Sequence, residues 1–171
     1  MKRIFLILSL LILCSSELLS QVNDDLYYSP SNSKSKLDLK SIPKGTYKII
    51  INTGKNKSEN FQLIGETLLS EDYQIDKANK DFFSITTVPK SHNKLNFSYV
   101  FNFIAKDTVI ILTGTFKINA SINLGSVTSE FSYDRIENKG QNGSPIKESF
   151  RTMIEFALKL SDIKYMKFYN E

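Results

Sequence analysis

Leu95-Asn-Phe-Ser-Tyr-Val-Phe-Asn-Phe-Ile-Ala105 decides how this chain is read. Its side chains alternate, with Leu95, Phe97, Tyr99, Phe101 and Phe103 pointing one way and Asn96, Ser98 and Asn102 the other. A period of two sustained over this length predicts a strand that buries one of its faces. Lys106-Asp107 predicts a tight reversal into Thr108 to Ile118, where Ile110, Leu112, Phe116 and Ile118 share a face with Gly114 among them. So short a connection implies antiparallel pairing.

Upstream, the β-branched run Thr46 to Thr53 predicts a strand ended by Gly54. Ser58 then suits the cap of a helix reaching about Asp72, with Phe61, Ile64, Leu68 and Leu69 on one face and Gly65 beside it, where a missing side chain would let the helix approach the sheet. Tyr73 to Lys77 and Phe82 to Val88 read as a hairpin joined by Ala78-Asn-Lys-Asp81. Downstream, Val127 to Ile136 reads as a further strand, and Ser144-Pro145 opens a helix with an apolar stripe of Ile146, Phe150, Met153, Ile154, Ala157 and Leu160. Periodicity leaves residues 163–169 open between helix extension and edge strand. The expected architecture is α+β, an antiparallel sheet of about five to six strands with two helices packed on one face, in the order β-α-β-β-β-β-β-α.

The termini set the compartment. Met1-Lys2-Arg3 precedes an apolar run, Ile4 to Leu13, which reads as a secretory signal over residues 1–20. As a helix that run would reach about 15 Å, against the ~30 Å of hydrocarbon a membrane span must cross. Two processing outcomes compete: cleavage after Ser20 to start the mature chain at Gln21, or lipidation of Cys14, with Leu13 departing from the small residue usual before a lipidated cysteine. Only the second would attach the chain to a membrane. Residues 21–44, with Ser29-Pro30-Ser31-Asn32-Ser33, read as a flexible tether, and 45–171 as a single domain.

Cys14 is the only cysteine, so the folded part has no disulfide, thiol nucleophile or cysteine-bound metal. Removing residues 1–20 takes two of the 22 basic and one of the 18 acidic residues, leaving a net charge of +3. Lysines interspersed with acids describe a solvated surface better than a nucleic-acid footprint.

The order of elements from about residue 45 to 161 resembles the helix-grip and TBP-like α+β plans, and is similar to the repeats of BamC-type envelope lipoproteins. The residues carrying the resemblance are Phe61, Ile64 and Leu68 running into Tyr73-Gln-Ile-Asp76, the strand segment Leu112-Thr-Gly114, and the helix start Gly143-Ser-Pro145. It implies an envelope location and a protein-binding role, and it carries no catalytic residue over to this chain.

Chemistry is sparse. His92, the sole histidine, lies in the polar loop Lys90-Ser-His-Asn-Lys94 and reads as a solvated loop residue, and Glu71-Asp72 and Asp76 as a helix end and turn. Gly140-Gln-Asn-Gly143 matches a nucleic-acid-clamping GxxG loop, but it follows a strand here and serves equally as a turn into a helix cap. No pattern of residues calls for a cofactor, a metal or a catalytic site.

The sheet face opposite the helices is the candidate interaction surface: Asn96, Ser98, Val100, Asn102 and Ile104, joined by Val109, Ile111, Thr113 and Thr115. Its mixed character predicts either cover by the aromatic C-terminus or reception of a partner. The expected function is an exported, non-enzymatic envelope domain that binds another protein. The alternative is a carrier of small apolar ligands in a cavity lined by Phe97, Phe101, Phe103 and Phe116. A hydrolase is the third and weakest expectation.

Overall fold

The computed structural model describes residues 27–28, 37–124, 127–130 and 132–170; the expected signal and Cys14 lie outside them. In chain order the elements are β1 (Tyr27–Tyr28), β2 (Lys48–Asn52), α1 (Lys57–Ser70), β3 (Ile75–Asn79), β4 (Ser84–Thr87), β5 (Lys90–Ser91), β6 (Phe97–Ala105) and β7 (Val109–Ile118). They continue with β8 (Ser121–Leu124), β9 (Val127–Glu130), β10 (Asp134–Arg135), α2 (Pro145–Ala157) and β11 (Tyr165–Tyr169).

The fold is α+β. Its main sheet runs β1-β11-β2-β7-β6-β4-β3, with β10 added to β7 and β5 to β6, and every pairing is antiparallel. Nine strands exceed the five to six expected. Three of the additions, β1, β5 and β10, are two residues long, too short to show a period. The C-terminal segment left open by periodicity is a strand, and β2 is its partner through Tyr165↔Asn52 to Tyr169↔Lys48. The single strand expected over 127–136 is two: β9 pairs with β8 in a separate hairpin, and β10 joins β7.

Register places the expected apolar set on one face. Phe101 lies opposite Gly114, Phe103 opposite Leu112 and Ala105 opposite Ile110, while Ile49 and Ile51 of β2 meet Leu112 and Ile110 from the other side. These residues are buried, and both helices pack on this face. Phe156 of α2, which the expected stripe omitted, is central: its ring lies 5.1 Å from Tyr73, 5.7 Å from Phe101 and 5.3 Å from Phe103.

Helix α1 starts from Asn56, not Ser58. The Asn56 side chain accepts from the Ser58 and Glu59 amides, and the Glu59 carboxylate accepts from the Asn56 amide, so orphan donors are satisfied reciprocally. The buried positions are Asn60, Ile64, Thr67 and Leu68; Leu69, expected on that face, is 68% exposed. The apolar count misled because Asn60 occupies a core position. Its amide donates to the carbonyls of Lys55 and Lys106 and accepts from the Thr53 hydroxyl at 2.6 Å, tying α1 to the β6–β7 reversal.

At α2, Pro145 occupies the first turn as expected, whereas the Ser144 side chain makes no cap bond and donates instead to the Gln141 carbonyl. The Glu148 carboxylate takes the Gly143 amide. Part of the segment read as a tether belongs to the fold: Ile42 is in the core, Leu37 and Leu39 pack against it, and Tyr27–Tyr28 pair with β11.

Two glycines separate space from propensity. A Cβ at Gly114 would lie 2.8 Å from Ile136 Cδ1, 2.9 Å from the Val100 carbonyl oxygen and 3.2 Å from Phe101 Cδ1, and the backbone oxygen has nowhere to go. A Cβ at Gly65 meets nothing within 4 Å, so the close helix–sheet approach expected there does not occur. Gly114→Ala therefore destabilises by about 1–3 kcal/mol through overpacking, while Gly65→Ala stabilises by about 0.5–1 kcal/mol through helix propensity. Urea unfolding midpoints moving in opposite directions would check both.

Candidate binding face

Residues paired across strands point to the same face, so register defines the outer surface. One row reads Lys167 (β11), Ile50 (β2), Ile111 (β7), Ile104 (β6) and Ser84 (β4). Flanking rows bring Tyr165, Asn52 and Val109 together on one side, and Asn102 with Thr113 and Thr86 on the other. Val100 pairs with Thr115, and Ser98 with Lys117, further along.

The expected residues Ser98, Val100, Asn102, Ile104, Val109, Ile111, Thr113 and Thr115 thus share one surface, and Asn96 lies at its end. Ile104 is 43% exposed, and the neighbouring Ile50, Ile111 and Val109 are half-buried. Several polar members are engaged laterally: Asn96 donates to the Asn119 carbonyl, Ser98 to the Asn119 side chain, and Thr86 to Asn102. Ser98 is buried by this arrangement.

The C-terminus does not cover this face. As β11 it lengthens it, adding Tyr165, Lys167 and Tyr169 beside the half-buried Ile50 and Lys48. Ile50 and Lys48 belong to this face only through the register of β2 with β7 and β11. The alternation Lys48-Ile49-Ile50-Ile51-Asn52 carries that information only once the neighbouring strand is known. The ammonium of Lys48 sits 4.9 Å from the Tyr169 ring centroid.

The four phenylalanines proposed to line a cavity are packed against other rings. Phe97 meets Phe116 edge-on at 6.3 Å, and Phe101 meets Phe103 edge-on at 6.4 Å, with Phe156 against the latter pair. Two clefts of about 520 and 440 Å³ lie elsewhere, one between α1 and the β3–β4 turn at Phe61 and Phe83, the other where Leu37 and Leu39 approach Lys147 and Arg151.

His92 and the Glu71–Asp72 pair are engaged in structural contacts. Nδ1 of His92 accepts from the amides of Lys94 and Leu95, and its ring stacks 4.7 Å from Phe97. Glu71 pairs with Lys159, while the carbonyls of Glu71 and Asp72 accept from Lys90, whose ammonium lies 3.8 Å from the Tyr73 ring centroid. A cation so placed suits the carbonyl end of α1. Asp76 is exposed on edge strand β3. Gly140 and Gly143 have φ of 84° and 82° and form the turn into α2.

Among the described residues no three His, Cys, Asp or Glu side chains gather as a metal site, and no helix is long and apolar enough to cross a membrane. Comparison with models of protein families finds no match, and comparison with curated proteins finds none that is significant.

The strongest electrostatic perturbation is in the core. The Tyr73 and Tyr99 hydroxyls lie 3.2 Å apart, and burial pushes both phenols above their ordinary ionisation range. A raised folded-state value means that the unfolded chain releases protons first as pH rises. Stability from this pair is complete below about pH 10, and it declines as pH rises above that point. The double substitution Tyr73→Phe, Tyr99→Phe should flatten the alkaline limb of a stability–pH curve, and an unchanged slope would refute the coupling.

Proposed function

We propose that this chain is an exported, non-enzymatic envelope domain that binds another protein through the outer face of its sheet. The observation that carries the reading is the in-register row Ile50-Ile111-Ile104, an apolar strip on the side of the sheet that neither helix occupies. Contiguous apolar surface rimmed by polar groups is the usual mark of an interaction site. Tyrosines at its border supply large contact area at small entropic cost.

The face is a better candidate than an edge. On one side the sheet ends in β3, whose Asp76 and Lys77 are exposed and whose register shifts between Ile75 and Lys77. Charges and a bulge are devices that discourage strand addition. On the other side, β1 covers part of β11.

Export is supported by the Lys2-Arg3 and Ile4–Leu13 pattern, and an envelope role by the resemblance to BamC-type repeats. The mature chain starts at Gln21 on this reading. Intact mass of the protein from its host should lack residues 1–20, and a lipid-modified Cys14 would place it on a membrane instead.

Binding is tested by Ile104→Glu, which puts a charge at the most exposed point of the strip. Recovery of a cross-linked envelope partner should fall at least tenfold while the unfolding midpoint stays close to that of the parent. Undiminished recovery would rule out this face.

A further inference from the structure

The turn between β3 and β4 breaks two local rules. Residues 80–83 connect Asn79 to its partner Ser84, and the Asn79 side chain accepts from the amides of Asp81 and Phe82. Phe83 closes the turn at a φ of 50°, a left-handed position that usually falls to glycine or asparagine. Its surroundings hold it there: the Ala105 amide donates to the Phe83 carbonyl, and the Phe83 ring stands edge-on to Phe61 at 5.9 Å, with the Lys57 ammonium 4.7 Å from its centroid. Phe82 has no such compensation. At 75% it is the most exposed large apolar side chain among the described residues. The adjoining cleft of about 520 Å³ has Ser58, Phe61, Gln62, Lys80 and Phe83 as its walls, so a projecting ring stands next to an aromatic-walled hole that it does not fill.

We propose that a second copy of this chain docks here across a two-fold axis, each copy placing its Phe82 ring in the Phe61–Phe83 cleft of the other. A two-fold interface requires a patch complementary to itself, and a knob and a hole on neighbouring residues meet that condition. The charges meet it too. The side chains of Lys80 and Asp81 hold no ion pair or hydrogen bond among the described residues, and a two-fold operation that exchanges the turns sets Lys80 of each copy against Asp81 of the other. Asp76 and Lys77 of β3, both exposed, supply one further charge of each sign, so residues 75–81 carry no net charge to repel a copy. The nearby acids of α1 are occupied: Glu59 accepts from the Asn56 amide and Glu66 from the Gln62 side chain. This pairing is independent of binding at the outer face.

Two other occupants fit less well. An anionic lipid surface attracts basic segments, and this one is neutral. A small apolar ligand would fill the cleft and leave Phe82 in water. One turn and part of one helix from each copy make a contact at the small end of specific interfaces, below about 1,200 Å² in total, so the pairing is concentration-dependent.

Sedimentation equilibrium of the protein purified from its host, over about 5–500 µM to cover weak association, should show a mass rising from one copy towards two. Phe82→Ala should raise the dissociation constant about tenfold or more and leave the unfolding midpoint near that of the parent, since the ring is exposed. Lys80→Glu and Asp81→Lys should each weaken self-association by setting like charges together. An equimolar mixture of those two chains should restore it, because each then offers the charge the other lacks.

A single-copy mass across the whole range would overturn the proposal, as would dimerisation that Phe82→Ala leaves intact. Failure of the two charge-reversed chains to pair with each other would overturn the two-fold contact. A benzoylphenylalanine photocross-linker at position 82 should yield a product of two copies in the host, and capture of only a different protein would overturn the second copy as occupant.

Discussion

The pairing of β6 with β7 is the constraint from which the remaining structure follows. Nine successive residue pairs, from Phe97↔Ile118 to Ala105↔Ile110, hold the two strands in one register. A slip of one residue would turn Phe97, Tyr99, Phe101 and Phe103 to solvent and bring Ser98, Val100, Asn102 and Ile104 into the core. Each aromatic ring buried contributes about 1.5–3 kcal/mol, so the alternative register is disfavoured by several such contributions together. Gly114 is what makes the chosen register possible, because Phe101 and Ile136 both occupy the space its side chain would need. Edge-on and tilted ring contacts then carry the ladder across to Phe156 and so position α2.

Two buried asparagines fasten the ends of this arrangement. Asn60 bridges the start of α1 to the β2–α1 and β6–β7 connections. Asn138 donates to the carbonyls of Ile42 and Pro43 and accepts from Lys147, drawing the segment ahead of β2 onto the first turns of α2. No buried side-chain polar atom among the described residues lacks a partner. Leaving one such group unsatisfied costs about 1–3 kcal/mol, so these amides specify loop positions that apolar packing alone would leave loose.

The functional reading follows from the same asymmetry. One face of the sheet is consumed by rings and helices, and the other is left with isoleucines, tyrosines and lysines at positions dictated by register. His92, the sole histidine, is engaged with its own loop and with Phe97. Recognition is the role we propose for the outer surface.

Local order made much of the fold legible. Alternation over Leu95 to Ile118 divided β6 and β7 into inward and outward residues, because a period of two is a property of the strand alone, and the two helical stripes beside it completed an antiparallel α+β expectation. What the sequence could not supply was everything that depends on which strands meet. Tyr165–Tyr169 becomes a strand because β2 offers it a hydrogen-bonding partner more than a hundred residues away, and Ile50 joins the outer strip only through its pairing with Ile111. Leu69 was expected on the core face of α1 but is exposed, while Asn60, a polar residue that an apolar pattern does not register, is buried there. Propensity and periodicity act within a few residues, whereas the acceptors that satisfy Asn60 and the space missing at Gly114 exist only after distant segments have packed.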